Sequence, residues 1–120
     1  MGALIELGAA VMKTLYYFLL PFVARRRLLG NPTVRQMLLA ASQGGVFNYD
    51  VCDAGYILAA GGRDFSPARD PQTTAANVEL FRDMVRLGLV EHQQGLRGLK
   101  PGVYRLTARG WNAVKRLTTA

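Results

Sequence analysis

The residues from 73 to 117 pass from helical to strand periodicity and back, and this order of elements constrains the fold more than any other feature. Apolar residues three and four positions apart predict an amphipathic helix over residues 73–87, which Gly88 ends. Two short apolar segments, 88–92 and 103–107, predict a pair of strands around a glycine-rich basic loop. Residues 108–117 return to helical periodicity. The sequence therefore predicts a β-hairpin enclosed between two helices.

Two motifs in this stretch resemble those of a known family. The sequence Met-Val-Arg-Leu-Gly-Leu-Val-Glu at 84–91 is similar to the end of the recognition helix and the first wing strand of PadR-like and MarR-like transcriptional regulators. The sequence Tyr-Arg-Leu-Thr-Ala-Arg-Gly at 104–110 is similar to their second wing strand and the helix that follows it. The resemblance covers about residues 73–117. It implies a winged helix-turn-helix, a mainly α fold with a small β-hairpin wing.

The preceding residues are expected to supply the other helices of this winged-helix domain, which we place at residues 30–120. Thr33 is a suitable N-cap for a first helix, which a pair of glycines at 44–45 ends. A second helix is expected over about residues 48–60. The loop that follows, residues 61–71, is longer than the three or four residues usual between the helices of a helix-turn-helix.

Residues 1–29 form an extra N-terminal apolar helix in this interpretation. Its apolar positions have helical spacing and are Leu4, Leu7, Val11, Leu15, Phe18 and Phe22. A helix that packs on the domain or on a second copy of the chain is the favoured interpretation, while a membrane anchor and a signal peptide stay open as alternatives. A charged Lys13 near the middle of the bilayer disfavours the anchor, and Glu6 in place of a basic start disfavours the signal peptide.

The net charge of +7 and the isoelectric point near 10.2 indicate an anionic partner, such as nucleic acid or a membrane surface. Basic residues are concentrated at 25–27 and from 95 onwards, while the middle of the chain is close to neutral. Cys52 and His92 are the only cysteine and the only histidine. These counts exclude a disulfide within the chain and a cysteine-based zinc site, and they agree with a cytoplasmic location.

The resemblance implies binding to double-stranded DNA, since the recognition helix of such regulators enters the major groove. The candidate base contacts on that helix are Thr73, Thr74, Asn77 and Arg82. The candidate contacts from the wing and the residues after it are Arg97, Lys100, Arg105 and Arg109. A homodimer that associates through the N-terminal helix would place two such domains on one duplex. Glu79 and Asp83 depart from this pattern, because they leave the predicted recognition helix without net charge.

A protein–protein interaction module is the alternative function, possibly membrane-tethered, with the N-terminal helix as its contact element. An enzyme is disfavoured because the glycine-rich loop at 95–102 lies between two strands and lacks the Lys-Ser/Thr ending of a phosphate-binding loop. We therefore expect no catalytic residues, no cofactor and no metal site.

Overall fold

The computed structural model describes residues 20–53 and 55–119. Its elements in chain order are α1 (residues 20–29 of the described part), α2 (Pro32–Gly44), β1 (Val46–Cys52), β2 (Gly55–Ala60), β3 (Arg63–Asp64), α3 (Pro71–Arg86), β4 (Val90–His92), β5 (Gly102–Leu106) and α4 (Ala108–Thr118). All neighbouring strands are antiparallel, in the order β3-β2-β1-β5-β4. The fold is therefore α+β, with a five-stranded sheet.

This architecture shows that the prediction of a mainly α winged helix-turn-helix is wrong. The expected helix over residues 48–60 is the hairpin β1–β2, so α2 and α3 are separated by strands and the described residues contain no helix-turn-helix. The hairpin forms because Phe47 and Tyr49 are buried while Asn48 and Asp50 are exposed. This alternation has the period of a strand with one buried face, which a helix cannot satisfy.

The predicted wing is part of this larger sheet. Its strands β4 and β5 lie where the sequence places them, but β5 also pairs with β1 along its other edge, with Phe47 opposite Tyr104. The hairpin is therefore supported on one side by the central strand of the sheet. An isolated two-stranded wing would lack this support.

The core lies between one face of the sheet and the helices. Phe81 of α3 is fully buried, and its ring centroid lies 5.0 Å from those of Phe47 and Tyr104 and 5.9 Å from that of Tyr49. The opposite face of the sheet is open, and it carries exposed side chains such as Asp50. The helices thus cover one side of the sheet, and this side holds the aromatic cluster.

The helix termini are fixed by caps, one of which the sequence predicts. Thr107 caps α4, because its hydroxyl oxygen accepts a hydrogen bond from the Gly110 amide at 3.1 Å. Asn31, rather than Thr33, caps α2. Asp70, rather than Thr73 or Thr74, caps α3. Hydrogen bonds from the Thr73 hydroxyl and amide hold the pKa of the Asp70 carboxyl below its usual value.

The helix α1 is anchored to the domain at its C-terminal end. Leu28 is buried in the core and Leu29 packs against it, while Leu20, Phe22 and Val23 are exposed. Of the predicted apolar stripe, only Phe22 lies within the described residues, and the members that lie outside them are Leu4, Leu7, Val11, Leu15 and Phe18. Within the described residues, no helix has the length and apolarity needed to cross a bilayer.

Candidate functional site

Two of the four predicted contact residues on α3 lie inside the protein. Thr74 is 7% exposed and Asn77 is 8% exposed. The Thr74 hydroxyl donates a hydrogen bond to the Pro67 carbonyl oxygen at 3.0 Å, and the Asn77 side-chain amide donates one to the Phe65 carbonyl oxygen at 2.8 Å. Both side chains therefore fix the loop between β3 and α3 on the surface of the helix.

The other two predicted residues of α3 are accessible but already paired. The Thr73 side chain is hydrogen-bonded to the capping carboxylate of Asp70. Arg82 forms an ion pair with Glu79 at 2.7 Å, one turn away on the same helix. A second pair on this helix joins Arg86 and Asp83 at 3.7 Å. The exposed charges of α3 therefore compensate one another, which agrees with its lack of net charge in the sequence.

Replacement of Asn77 with alanine is expected to lower the free energy of unfolding by about 1–3 kcal/mol, because it leaves the buried Phe65 carbonyl oxygen without its donor. DNA affinity should stay within about twofold of the unchanged chain, since the amide faces the loop. Urea unfolding and fluorescence anisotropy with a DNA duplex measure the two effects. Thr73→Ala is the control at an exposed position of the same helix. Loss of DNA binding by Asn77→Ala at unchanged stability would contradict this assignment.

The β4–β5 loop, residues 93–101, presents the two predicted wing cations to solvent. Arg97 and Lys100 are both exposed. The buried hydroxyl of Tyr104 accepts a hydrogen bond from the Lys100 amide at 2.8 Å, and it lies 2.9 Å from the Lys100 carbonyl oxygen, to which it can donate. The tyrosine thereby holds the backbone of the loop and limits the positions that the Lys100 side chain can reach.

His92 fixes both ends of the same loop, a role that the sequence analysis missed. The ring is 4% exposed. Its Nδ1 atom accepts a hydrogen bond from the Gln94 amide at 3.1 Å, so the proton of the neutral ring lies on Nε2, which donates to the Pro101 carbonyl oxygen at 3.0 Å. A lone histidine that ends a strand gives no sign in sequence of these contacts, since they depend on how the loop closes.

The last two predicted cations lie in different surroundings. Arg105 projects from the open face of the sheet, where its Nε atom donates to a Glu91 carboxylate oxygen at 2.9 Å. Arg109 lies in the first turn of α4, and its guanidinium lies 3.5 Å from the Leu87 carbonyl oxygen. The structure therefore separates Arg105, whose charge is compensated, from Arg109, whose surroundings contain further arginines.

Arg109 lines a cleft of about 680 Å³ between α1 and α4. Three more arginines line it, Arg25 and Arg26 from α1 and Arg116 from α4, and no acidic residue does. The remaining wall is formed by Phe22, Leu29, Leu89, Asn112 and Ala113. The sequence analysis noted the basic residues at 25–27 and those near the C-terminus separately. Their convergence follows from the packing of α1 beside α4, which periodicity does not reveal.

Acidic and basic residues are segregated in the chain and in the fold. Residues 20–49 and 92–119 contain ten arginines and lysines and no aspartate or glutamate. Residues 50–91 contain seven acidic residues and four arginines. The two basic segments meet in the fold, because α2 packs on α4 and β1 pairs with β5. The helices α1, α2 and α4 together therefore form a basic layer.

Comparisons of the chain with protein-family models, with curated proteins and with solved structures give no match. The resemblance to winged-helix regulators thus rests on the motifs at 84–91 and 104–110. Each motif lies where a helix and a strand adjoin, α3 with β4 and β5 with α4. The function must be argued from the basic surface itself.

Proposed function

We propose that the protein binds duplex DNA, mainly through contacts of its arginine and lysine side chains with the phosphate backbone. The observation that carries the proposal is the charge segregation, with ten cations and no acid in the two segments that meet in the fold. Phosphate contacts of this kind supply most of the affinity of sequence-independent DNA binding. A role in transcription regulation is the part of the proposal that comes from the winged-helix resemblance.

The β4–β5 loop is the first surface that we assign to DNA contact. Arg97 and Lys100 are exposed on it, and no acidic residue lies between 92 and 119 to offset them. The contacts of Tyr104 and His92 hold the loop in one backbone conformation. A loop fixed before binding loses less conformational entropy when it meets the duplex.

Base recognition by α3 is not part of this proposal. Thr74 and Asn77 are engaged with the preceding loop, and the cations of this helix are paired with its own acids. Binding should therefore depend strongly on salt and weakly on sequence, because phosphates carry no direct sequence information. Direct reading of bases would require contacts from another part of the chain.

The double variant Arg97→Ala/Lys100→Ala tests the proposal. We expect the full-length chain to bind a random duplex with an affinity that falls steeply with salt. In the variant, the slope of log affinity against log salt should decrease by about two phosphate contacts, roughly 0.9 per contact. Fluorescence anisotropy over a salt series measures both slopes.

The matched control is Arg82→Ala/Arg86→Ala, which removes the same charge from the self-compensated helix α3. Its salt slope should equal that of the unchanged chain. No binding at low salt would overturn the DNA proposal. Equal effects of the two double variants would overturn the assignment of the contacts to the β4–β5 loop.

A protein-interaction role is the second candidate, favoured by the exposed apolar residues of α1. Leu20 and Val23 are exposed beside Phe22, which is 57% exposed. Contact with a second copy of the chain would cover them and would also give the homodimer that the resemblance implies. In sedimentation equilibrium, Phe22→Asp/Val23→Asp should then shift the chain from dimer to monomer. A monomer at all concentrations before substitution would exclude this homodimer.

A further inference from the structure

We infer that the cleft between α1 and α4 binds a small organic phosphate with two or more negative charges, of the class of nucleoside di- and triphosphates. The inference goes beyond the proposed binding of DNA and does not depend on it. It rests on the composition of the cleft, on the position of Arg109 in α4, and on the shape of the cavity.

The cleft places two arginines from each helix around one cavity. Arg25 and Arg26 come from α1, and Arg109 and Arg116 come from α4. Within the described residues, none of the four forms a salt bridge with a carboxylate. Planar guanidinium groups bind phosphate oxygens through two parallel hydrogen bonds, so paired forks from opposite sides suit a ligand with several phosphate groups.

Arg109 lies at an end of α4 where a positive charge is electrostatically unfavourable. The helix begins at Ala108, so this guanidinium lies beside the positive end of the helix dipole. The arginines of α1 add further repulsion from the other wall. A bound polyanion would reduce the repulsion among the four arginines and would interact favourably with the helix terminus. The charges of the cleft therefore favour an anion of high charge.

The shape and the apolar wall indicate a compact ligand with an unsaturated or apolar part. The volume of about 680 Å³ falls within the range of roughly 300–1,000 Å³ that is typical of small-molecule sites. Phe22 and Leu29 form apolar wall on the α1 side and Leu89 forms more of it, while Asn112 offers polar side-chain atoms. The exposed ring of Phe22 offers a face on which a planar base can stack.

Isothermal titration calorimetry of the full-length chain with ATP, adenosine and inorganic triphosphate tests the inference. ATP should bind, adenosine should give no measurable heat, and inorganic triphosphate should bind several-fold more weakly than ATP. Arg109→Ala/Arg116→Ala should weaken ATP binding at least tenfold. Both side chains are exposed, and circular dichroism checks that the variant folds.

The matched control is Arg97→Ala/Lys100→Ala, which removes the same charge from the β4–β5 loop and should keep ATP affinity within about twofold. Absence of ATP binding at low salt would overturn the inference. Equal losses in the two double variants would also overturn it, since they would show attraction to the net charge alone. Equal affinity for ATP and inorganic triphosphate would overturn the assignment of a nucleoside. DNA binding of the same variants is measured separately, so failure of either proposal leaves the other testable.

Discussion

Replacement of Gly110 with alanine is expected to lower the free energy of unfolding by about 3 kcal/mol, the upper end of the usual cost of overpacking. A Cβ atom at this position would lie 2.1 Å from the Leu89 carbonyl oxygen and 3.1 Å from the Leu106 side chain. The first distance is far below van der Waals contact, and its partner is backbone. The helix α4 would have to move away from the turn between α3 and β4.

The sign of this effect separates tertiary packing from local propensity. Gly110 lies within α4, where alanine is the better helix former by about 1 kcal/mol. Propensity alone therefore predicts a gain in stability. The displacement of α4 would also disturb the Thr107 hydroxyl, which donates to the Gly88 carbonyl oxygen at 2.6 Å. We expect the steric cost to exceed the gain in propensity.

Gly95→Ala is the control for this substitution, and urea unfolding followed by circular dichroism measures both. Gly95 has a positive φ of 76°, but a Cβ atom there would meet nothing within 4 Å. Its cost should be limited to backbone strain of about 1–2 kcal/mol. A Gly110→Ala variant as stable as the unchanged chain would show that α4 is not held against Leu89 as the structure has it.

The C-terminal half of the fold was predictable because its determinants are local. The periodicity of residues 73–87, the N-cap at Thr107 and the stop at Gly88 all lie within a few residues of the elements that they define. The close packing at Gly110 could also be anticipated, since the sequence places a glycine inside an otherwise regular helix. These features need no knowledge of the remainder of the chain.

The hairpin β1–β2 was not predictable in the same way. The segment contains both the alternation at Phe47 and Tyr49 and apolar residues such as Ile57 and Leu58 that also fit a helix. The strand conformation is selected by pairing of β1 with β5, more than fifty residues away in the chain. Such long-range pairing overrides local patterns, and its outcome does not appear in any short window of sequence.

The candidate sites followed the same division. Exposure of Arg97 and Lys100 could be inferred from a polar loop between two strands. The burial of Asn77 could not, because it depends on where the β3–α3 loop lies. The arginine cleft depends on the packing of α1 beside α4, so the sequence supplied its residues without their arrangement.

Replacement of Phe81 with alanine is expected to have the largest effect on stability, a loss of about 3–5 kcal/mol in the free energy of unfolding. The side chain is fully buried, and its ring contacts those of Phe47, Tyr49 and Tyr104. These three partners lie on β1 and β5, so truncation leaves a cavity where α3 joins the centre of the sheet. Domains of this size are typically stable by only about 5–15 kcal/mol, so the variant should unfold at much lower urea concentration.

Phe22→Ala removes the same atoms from a ring that is 57% exposed, and it should change stability by less than about 1 kcal/mol. The comparison also separates the two regions of the molecule that we assign to different purposes. Phe81 should affect folding and, through it, every binding activity, whereas Phe22 should affect only ATP binding in the cleft or association through α1. Equal stability losses for the two variants would show that α1 packs more deeply than the structure indicates. A loss below about 1 kcal/mol for Phe81→Ala would show that the aromatic cluster does not hold α3 on the sheet.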